Sequence, residues 1–296
     1  MRITMKKLLV LILVAFLAGV FSISADEPGK YGVGTSDQFH GPVGLQMYSL
    51  RSYYAEDPEK AFRTASEYGF VEVEYSAIRG LSPEDYVAFL KKYNLRAFSG
   101  HWPFEQLENN TDGVIAEAKT LGLDSVGVAW LPHTGKFTED DCRRAAEVFN
   151  RAAPKLHENG LDLYLHNHGY EFEPYEHGTL LDLFMSLTEC SGVKLQLDIL
   201  WTIFPGQDPV SIMKEYPTRI HSLHLKDLKK GVAGNLSGGT NVENDVALGT
   251  GQADYPAILK TAQEIGVPHF YIEDESPFFE TQIRESLNNL EEKIKW

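Results

Sequence analysis

From Val43 to the end of the chain one unit recurs: a short apolar strand ending on a polar residue, a loop, and an amphipathic helix closing on a glycine. The closures are Tyr68-Gly69, Leu121-Gly122, Asn159-Gly160, Ser191-Gly192 and Ile265-Gly266. Glycine suits them because a left-handed residue is commonly needed just past a helix C-terminus. Helix starts are equally legible at Asp57-Pro58, Ser82-Pro83-Glu84-Asp85, Thr138-Glu139-Asp140-Asp141 and Asp208-Pro209. Each sets a side-chain acceptor before the first turn, usually with proline or acids inside it. Strands are predicted at 43–48, 70–75, 96–100, 125–129, 162–167, 193–198, 220–225 and 269–273, with a last helix from Glu280 to Lys295. Eight such units over about 250 residues have the size of a closed (β/α)8 barrel. A doubly wound open sheet usually has fewer strands and no reason to stop at eight.

The segment before the repeat is of another kind. Lys6 and Lys7 precede an apolar run from Leu8 to Phe21, and small residues follow at Ser22-Ile23-Ser24, the pattern of a cleaved export signal. The run is too short to cross a bilayer comfortably. The expected organisation is a signal peptide over 1–24, a polar leader over 25–42 and a single barrel domain over 43–296, exported to the periplasm or the medium. Three of the 27 basic residues and none of the 42 acidic ones lie in the signal, which leaves about −18 on the mature chain. That charge repels phosphate backbones and anionic lipid, so neither nucleic-acid binding nor stable membrane insertion is expected. Hydrophobic residues at 43%, with 11% aromatics, supply a packed core and exclude general disorder. Cys142 and Cys190 are too few for a disulfide scaffold.

Alternate residues of a barrel strand face the lumen. Taking the aliphatic set as helix-facing leaves Ile220, Ser222 and His224 inside in strand seven, and His269, Tyr271 and Glu273 in strand eight. Strand six offers Lys194, Gln196 and Asp198, strand five Tyr164 and His166, and strand two Glu72 and Glu74. Strand three offers Ala97, Ser99 and His101, with Phe98 outward. Six strands therefore end on a lumen-facing ionisable residue: Glu74, His101, His166, Asp198, His224 and Glu273. The C-terminal rim is where barrel enzymes keep their chemistry.

Carboxylates and imidazoles without thiolates suit a divalent ion: Mn, Co, Mg or Zn. Asp198, His224 and Glu273 lie on consecutive strands and can converge on one point, where an open metal position polarises a carbonyl and acidifies the adjacent C–H. Lys226 stands at the mouth to bind a substrate oxygen, and Asp227 to orient a histidine. Tyr48, Trp102, Trp130 and Trp201 fall near strand ends, as sugar-face stacking would require. The run His166-Asn167-His168-Gly169-Tyr170-Glu171-Phe172 adds two imidazoles and a carboxylate to the same rim.

With Gly44-Leu45-Gln46-Met47-Tyr48-Ser49-Leu50-Arg51, Asp198-Ile199-Leu200-Trp201, His224-Leu225-Lys226-Asp227 and Ile272-Glu273, that run resembles the xylose isomerase-like barrel superfamily, in particular its exported "sugar phosphate isomerase/epimerase" group. The resemblance implies a metal set of Glu, Asp, His and Glu from strands five to eight. Asp198, His224 and Glu273 match the last three slots, while the first holds His166, with Glu171 as the alternative carboxylate from the loop. Glu74 and His101 match positions that line the substrate pocket in relatives. The implied activity is metal-dependent isomerisation, epimerisation or dehydration of a keto-sugar or keto-glycoside. Glu273 or Glu171 would act as base and His168 or His101 as acid. The displaced first glutamate leans the expectation toward dehydration or elimination. The rival classes are a non-catalytic carbohydrate-binding barrel and a phosphodiesterase of the endonuclease branch, the latter disfavoured by the acidic charge. Oligomeric state is left open.

Overall fold

The computed structural model describes residues 32–296. The expected signal at 1–24 and the first part of the leader lie outside the described residues. Eight parallel strands form the sheet: β1 (Val43–Gln46), β2 (Glu72–Tyr75), β3 (Arg96–Gly100), β4 (Ser125–Val128), β5 (Asp162–His166), β6 (Lys194–Asp198), β7 (Ile220–Leu225) and β8 (Phe270–Ile272). Their order is β3-β2-β1-β8-β7-β6-β5-β4. The two end strands meet through a His101–Gly127 bridge, with Trp102 N donating to Gly127 O at 2.9 Å and Asp124 N to Phe98 O at 2.8 Å. The barrel is thus nearly closed, with a seam of fewer bonds than a full ladder.

Between the strands run α1 (Pro58–Glu67), α2 (Pro83–Lys92), α3 (Phe104–Asn109), α4 (Thr111–Leu121), α5 (Glu139–Glu158), α6 (Leu180–Leu187), α7 (Ile199–Ile203), α8 (Pro209–Glu215), α9 (Tyr255–Ile265) and α10 (Phe279–Asn288). Asp57, Ser82, Thr138 and Asp208 accept backbone N–H bonds at the starts of α1, α2, α5 and α8, as their sequence positions predict. The α5 start is a reciprocal capping box between Thr138 and Asp141. Among the described residues no helix is long and apolar enough to cross a membrane. Cys142 is buried and Cys190 exposed, and neither is bridged.

The lumen is filled by large polar side chains, and glycines make room for them. A Cβ at Gly44 would meet the Tyr271 ring at 2.8 Å, and one at Gly127 the Tyr164 ring at 2.2 Å. The expected alternation fails at two β-bulges. Between β6 and β7 the register moves from Leu195–Ile220 to Gln196–Ser222, so His221 is an extra residue. Its ring stacks on Tyr164 at 4.2 Å inside the lumen, the place expected for Ile220. Between β2 and β3 the pairing skips Phe98, whose ring packs on His269 at 5.1 Å rather than facing the helices. A bulge adds one residue and reverses the local facing, which a period-two pattern does not show.

Candidate active site

Five strands send donors to one carboxylate below the C-terminal rim. Glu74 Oε1 accepts from Ser99 Oγ (2.7 Å), Tyr164 OH (2.8 Å) and Gln196 Nε2 (2.7 Å). Its Oε2 accepts from Gln46 Nε2 (2.6 Å) and meets His224 Nε2 at 2.5 Å. Burial works to raise this carboxyl, but the neighbouring His101 and His224 and its hydrogen bonds outweigh it and hold the group well below the usual range. With both oxygens saturated and no exposure, Glu74 does not line the cavity where substrate binding was expected of it; it underpins His224.

Above it the rim residues converge. His224 Nδ1 lies 3.0 Å from Glu273 Oε2 and 3.8 Å from Asp198 Oδ2, while His166 Nε2 is 3.9 Å from that same Asp198 oxygen. Ligating atoms of Asp198, His224 and Glu273 all lie within 4.8 Å of one another, as do those of His101, His166 and His224. Asp198 is wholly buried. Its Oδ1 accepts from Trp201 N at 2.8 Å and caps α7, but Oδ2 has no partner. Such an orphan costs about 1–3 kcal/mol, more for a charged group. Oxygen and imidazole nitrogen donors spaced for bonds of roughly 2 Å fit a divalent cation at this point.

Burial lifts Asp198 to about 7, against the pull of Lys226 and His224. Burial likewise opposes the charge on His224, but Glu74 and Glu273 push it up to about 10. At neutral pH His224 is therefore an imidazolium, with Nδ1 toward Glu273 and Asp198. Glu273 is held well below the usual carboxylate range, since Lys226 and His224 outweigh its burial. Burial lowers His101, lowers His166 well below the usual imidazole range, and takes His168 down to about 3. His101 and His168, the residues expected as acid, both line the cavity.

The cavity beside this cluster has a volume of about 360 Å³ and is lined by Gln46, Tyr48, His101, Trp130, His166, His168, Trp201, Glu273 and Glu275. Tyr48 and Trp130 are 43% and 47% exposed, and the Arg51 guanidinium lies over the Tyr48 ring at 4.5 Å. His133 stacks on Trp130 at 5.3 Å and buttresses that wall. Trp102, also expected at the rim, is instead buried and donates from Nε1 to Glu117 Oε2 at 3.0 Å. Lys226 is buried beside the cavity, 2.7 Å from Glu275 Oε1 and 3.4 Å from Glu273 Oε2. An adjoining lobe of about 230 Å³ holds Lys226 and Asp245 under the Gly238-Gly239-Thr240 loop.

Glu171 is not brought to the site. It sits in a single 3₁₀ turn, where Oε2 accepts from His168 N at 2.8 Å, and burial pushes it up to about 8. It belongs to neither ligand cluster. Asp227 likewise does not orient a histidine. It accepts from Gly249 N (2.9 Å), Gly251 N (2.9 Å) and Ala253 N (3.0 Å), anchoring the loop after β7. Gln46, Gln196, Ser99 and Tyr164 were not singled out from the sequence, though period-two parity alone places Gln196, Ser99 and Tyr164 in the lumen.

Comparison with known proteins places this geometry in context. A 143-residue stretch is 29% identical to an inosose dehydratase of Lacticaseibacillus casei, covering 46% of this chain and 46% of that protein, so the chain spans about half the length of such relatives. Among solved structures, a sugar phosphate isomerase/epimerase from Parabacteroides distasonis superposes with a TM-score of 0.70 at 24% identity, covering 86% of this chain and 95% of that one. The zinc-bound IolI protein gives 0.63 at 14% identity, covering 85% and 95%. An L-ribulose 3-epimerase gives 0.59 at 15%, covering 80% and 82%. At these identities the structures attest the fold. The family model described as xylose isomerase-like TIM barrel matches residues 62–293, most of the chain, and the protein belongs to that family.

Proposed function

We propose that the protein is a divalent-metal-dependent enzyme that removes a proton from carbon next to the carbonyl of an uncharged keto-sugar or keto-glycoside, the step common to isomerisation, epimerisation and dehydration. The observation that carries this reading is the partnerless, fully buried Asp198 Oδ2 clustered with His224, His166 and Glu273, the last two of which line an aromatic-walled cavity. Asp198, His224, Glu273 and His166 would hold the ion. When bound, the ion would polarise the substrate carbonyl and lower the pKa of the neighbouring C–H. Glu273 is the base: it lines the cavity, and Lys226 and His224 keep it ionised. Tyr48, Trp130 and Trp201 offer ring faces to the sugar, and His168, with its buried Nδ1 unpartnered, offers a hydrogen-bond site among them. The relatedness to inosose dehydratases and the zinc in the IolI neighbour support the same chemistry.

Several features disfavour a phosphorylated substrate. The cavity lining includes Glu273 and Glu275, and the Lys226 ammonium is already faced by Glu273, Glu275 and Asp245. The amides of Gly249 and Gly251 are bound to Asp227 and are not free to cradle an anion. An exported setting is part of the proposal and rests on residues 1–24. Fusion of that segment to a periplasmic reporter is expected to give processed, exported reporter.

The test of the activity is solvent exchange. Protein stripped of metal and reloaded with Mn, Co, Zn or Mg is incubated in D₂O with ketoses, inososes and 3-keto-glucosides, and the substrate C–H signals are followed by NMR. Metal-dependent loss of one C–H signal is expected, reduced by at least about 100-fold in Glu273→Gln. No exchange with any metal and any of these sugars would overturn the reading.

A further inference from the structure

The imidazoles at the rim have their ring nitrogens assigned from below. Gln196 Nε2 donates to Glu74 Oε1 at 2.7 Å and to Ser222 Oγ at 2.9 Å, which fixes the amide with Oε1 turned toward the cavity. That single oxygen lies 2.8 Å from His101 Nε2 and 2.9 Å from His166 Nδ1. A carbonyl oxygen only accepts, so both ring nitrogens must carry hydrogen. A neutral ring whose hydrogen sits on the nitrogen facing Gln196 keeps its other nitrogen as an acceptor, Nδ1 in His101 and Nε2 in His166. His166 Nε2 is the atom 3.9 Å from the partnerless Asp198 oxygen. Glu74 Oε2 does the corresponding work on His224: it meets Nε2 and leaves Nδ1 toward Asp198 and Glu273.

We propose that Gln196 is a positioning residue of this site: one amide, oriented by Glu74 and Ser222, sets the tautomers of His101 and His166 together and presents His166 Nε2 as a fourth donor beside Asp198, His224 and Glu273. The consequence for the cation rests on the metal reading above; the tautomers do not. Gln196 is fully buried and does not line the cavity, so its influence passes through the rings it holds. A glutamine is suited to this role because its two ends differ: the amide nitrogen faces acceptors below while the oxygen faces donors above.

Long-range ¹H–¹⁵N NMR of the metal-free protein reads imidazole tautomers directly. The parent is expected to show His101 as the Nε2–H form and His166 as the Nδ1–H form. In Gln196→Met, which keeps length and apolar volume but removes both ends of the amide, His166 is expected to shift toward Nε2–H. Zn or Co affinity should fall by about 10–100-fold. Tyr164→Phe removes another donor to Glu74 without touching the amide and is expected to leave both tautomers unchanged. A parent spectrum with His166 as Nε2–H overturns the proposal without any variant. So does a folded Gln196→Met with unchanged tautomers, or with metal affinity within about twofold of the parent. If the parent binds neither Zn nor Co, the metal reading and the fourth-donor role fail together, while the spectra still decide the tautomers.

Discussion

At the residue scale, two buried carboxylates on the same rim have different fates, and the difference is what surrounds them. Each has one oxygen without a partner and each is raised by burial, Asp198 to about 7, but Asp198 Oδ2 faces His224 and His166 while Glu171 belongs to neither ligand cluster. Asp198→Asn is therefore expected to lose more Zn or Co affinity than the roughly 10–100-fold typical of an outer hydrogen-bond partner, with little change in the melting midpoint of the metal-free protein. Calorimetric titration and a thermal scan check the two halves. Glu171 sits at about 8, raised from 4.5 by burial. A folded pKa above the unfolded one means that the group's contribution to stability is full below about 4.5 and lost as pH rises through 8. Glu171→Gln should flatten that loss, leaving the variant relatively more stable at pH 8.5 than at pH 5. Thermal midpoints at the two pH values decide it. Both residues are acids on one rim in the sequence; only the turn over 170–172, which folds Glu171 back on His168 N, separates their roles.

At the scale of elements, the loop after β7 depends on Asp227. Its carboxylate takes three backbone N–H bonds from Gly249, Gly251 and Ala253. Gly251 must be glycine for a second reason: a Cβ there would meet Asp227 Oδ1 at 2.2 Å and the Leu228 carbonyl at 2.4 Å. Gly251→Ala is expected to release residues 229–251 from the barrel, seen as faster amide exchange confined to that stretch, while the barrel strands keep their protection. The same loop roofs the lobe holding Lys226, so KM should rise more than kcat falls. The length and glycine content of this loop are legible in sequence. Which carboxylate holds it is not, because Asp227 and its partners lie more than twenty residues apart.

At the scale of the whole molecule, the rim cluster should link metal, protons and stability. A cation that enters beside His224 must displace the Nδ1 proton of a group standing at about 10, so binding near neutral pH should release protons into the buffer. Metal affinity should then rise with pH, measurable as a buffer-dependent enthalpy in titration calorimetry. Free ion at about 100 times its dissociation constant adds about 2.7 kcal/mol. For a chain of this size that is a melting midpoint raised by roughly 5–10 °C. No rise in midpoint with any of the four metals would count against a site built for one.

The sequence alone determines the barrel and which strands end on ionisable residues. Helix caps, closing glycines and apolar strands are local properties, each decided within a few residues, so eight units and their order can be read directly. The ends of those strands name Asp198, His224 and Glu273 for the same reason. What only the tertiary structure decides is which groups meet and in what state. The bulges at His221 and Phe98 arise from register between strands, not from either strand's own pattern. Glu74 changes from an expected substrate contact to the floor of the site because donors from β1, β3, β5, β6 and β7 all reach it. Hydrogen bonds and charge energies depend on distance through space, and barrel closure makes neighbours of residues that the chain keeps as many as 150 positions apart.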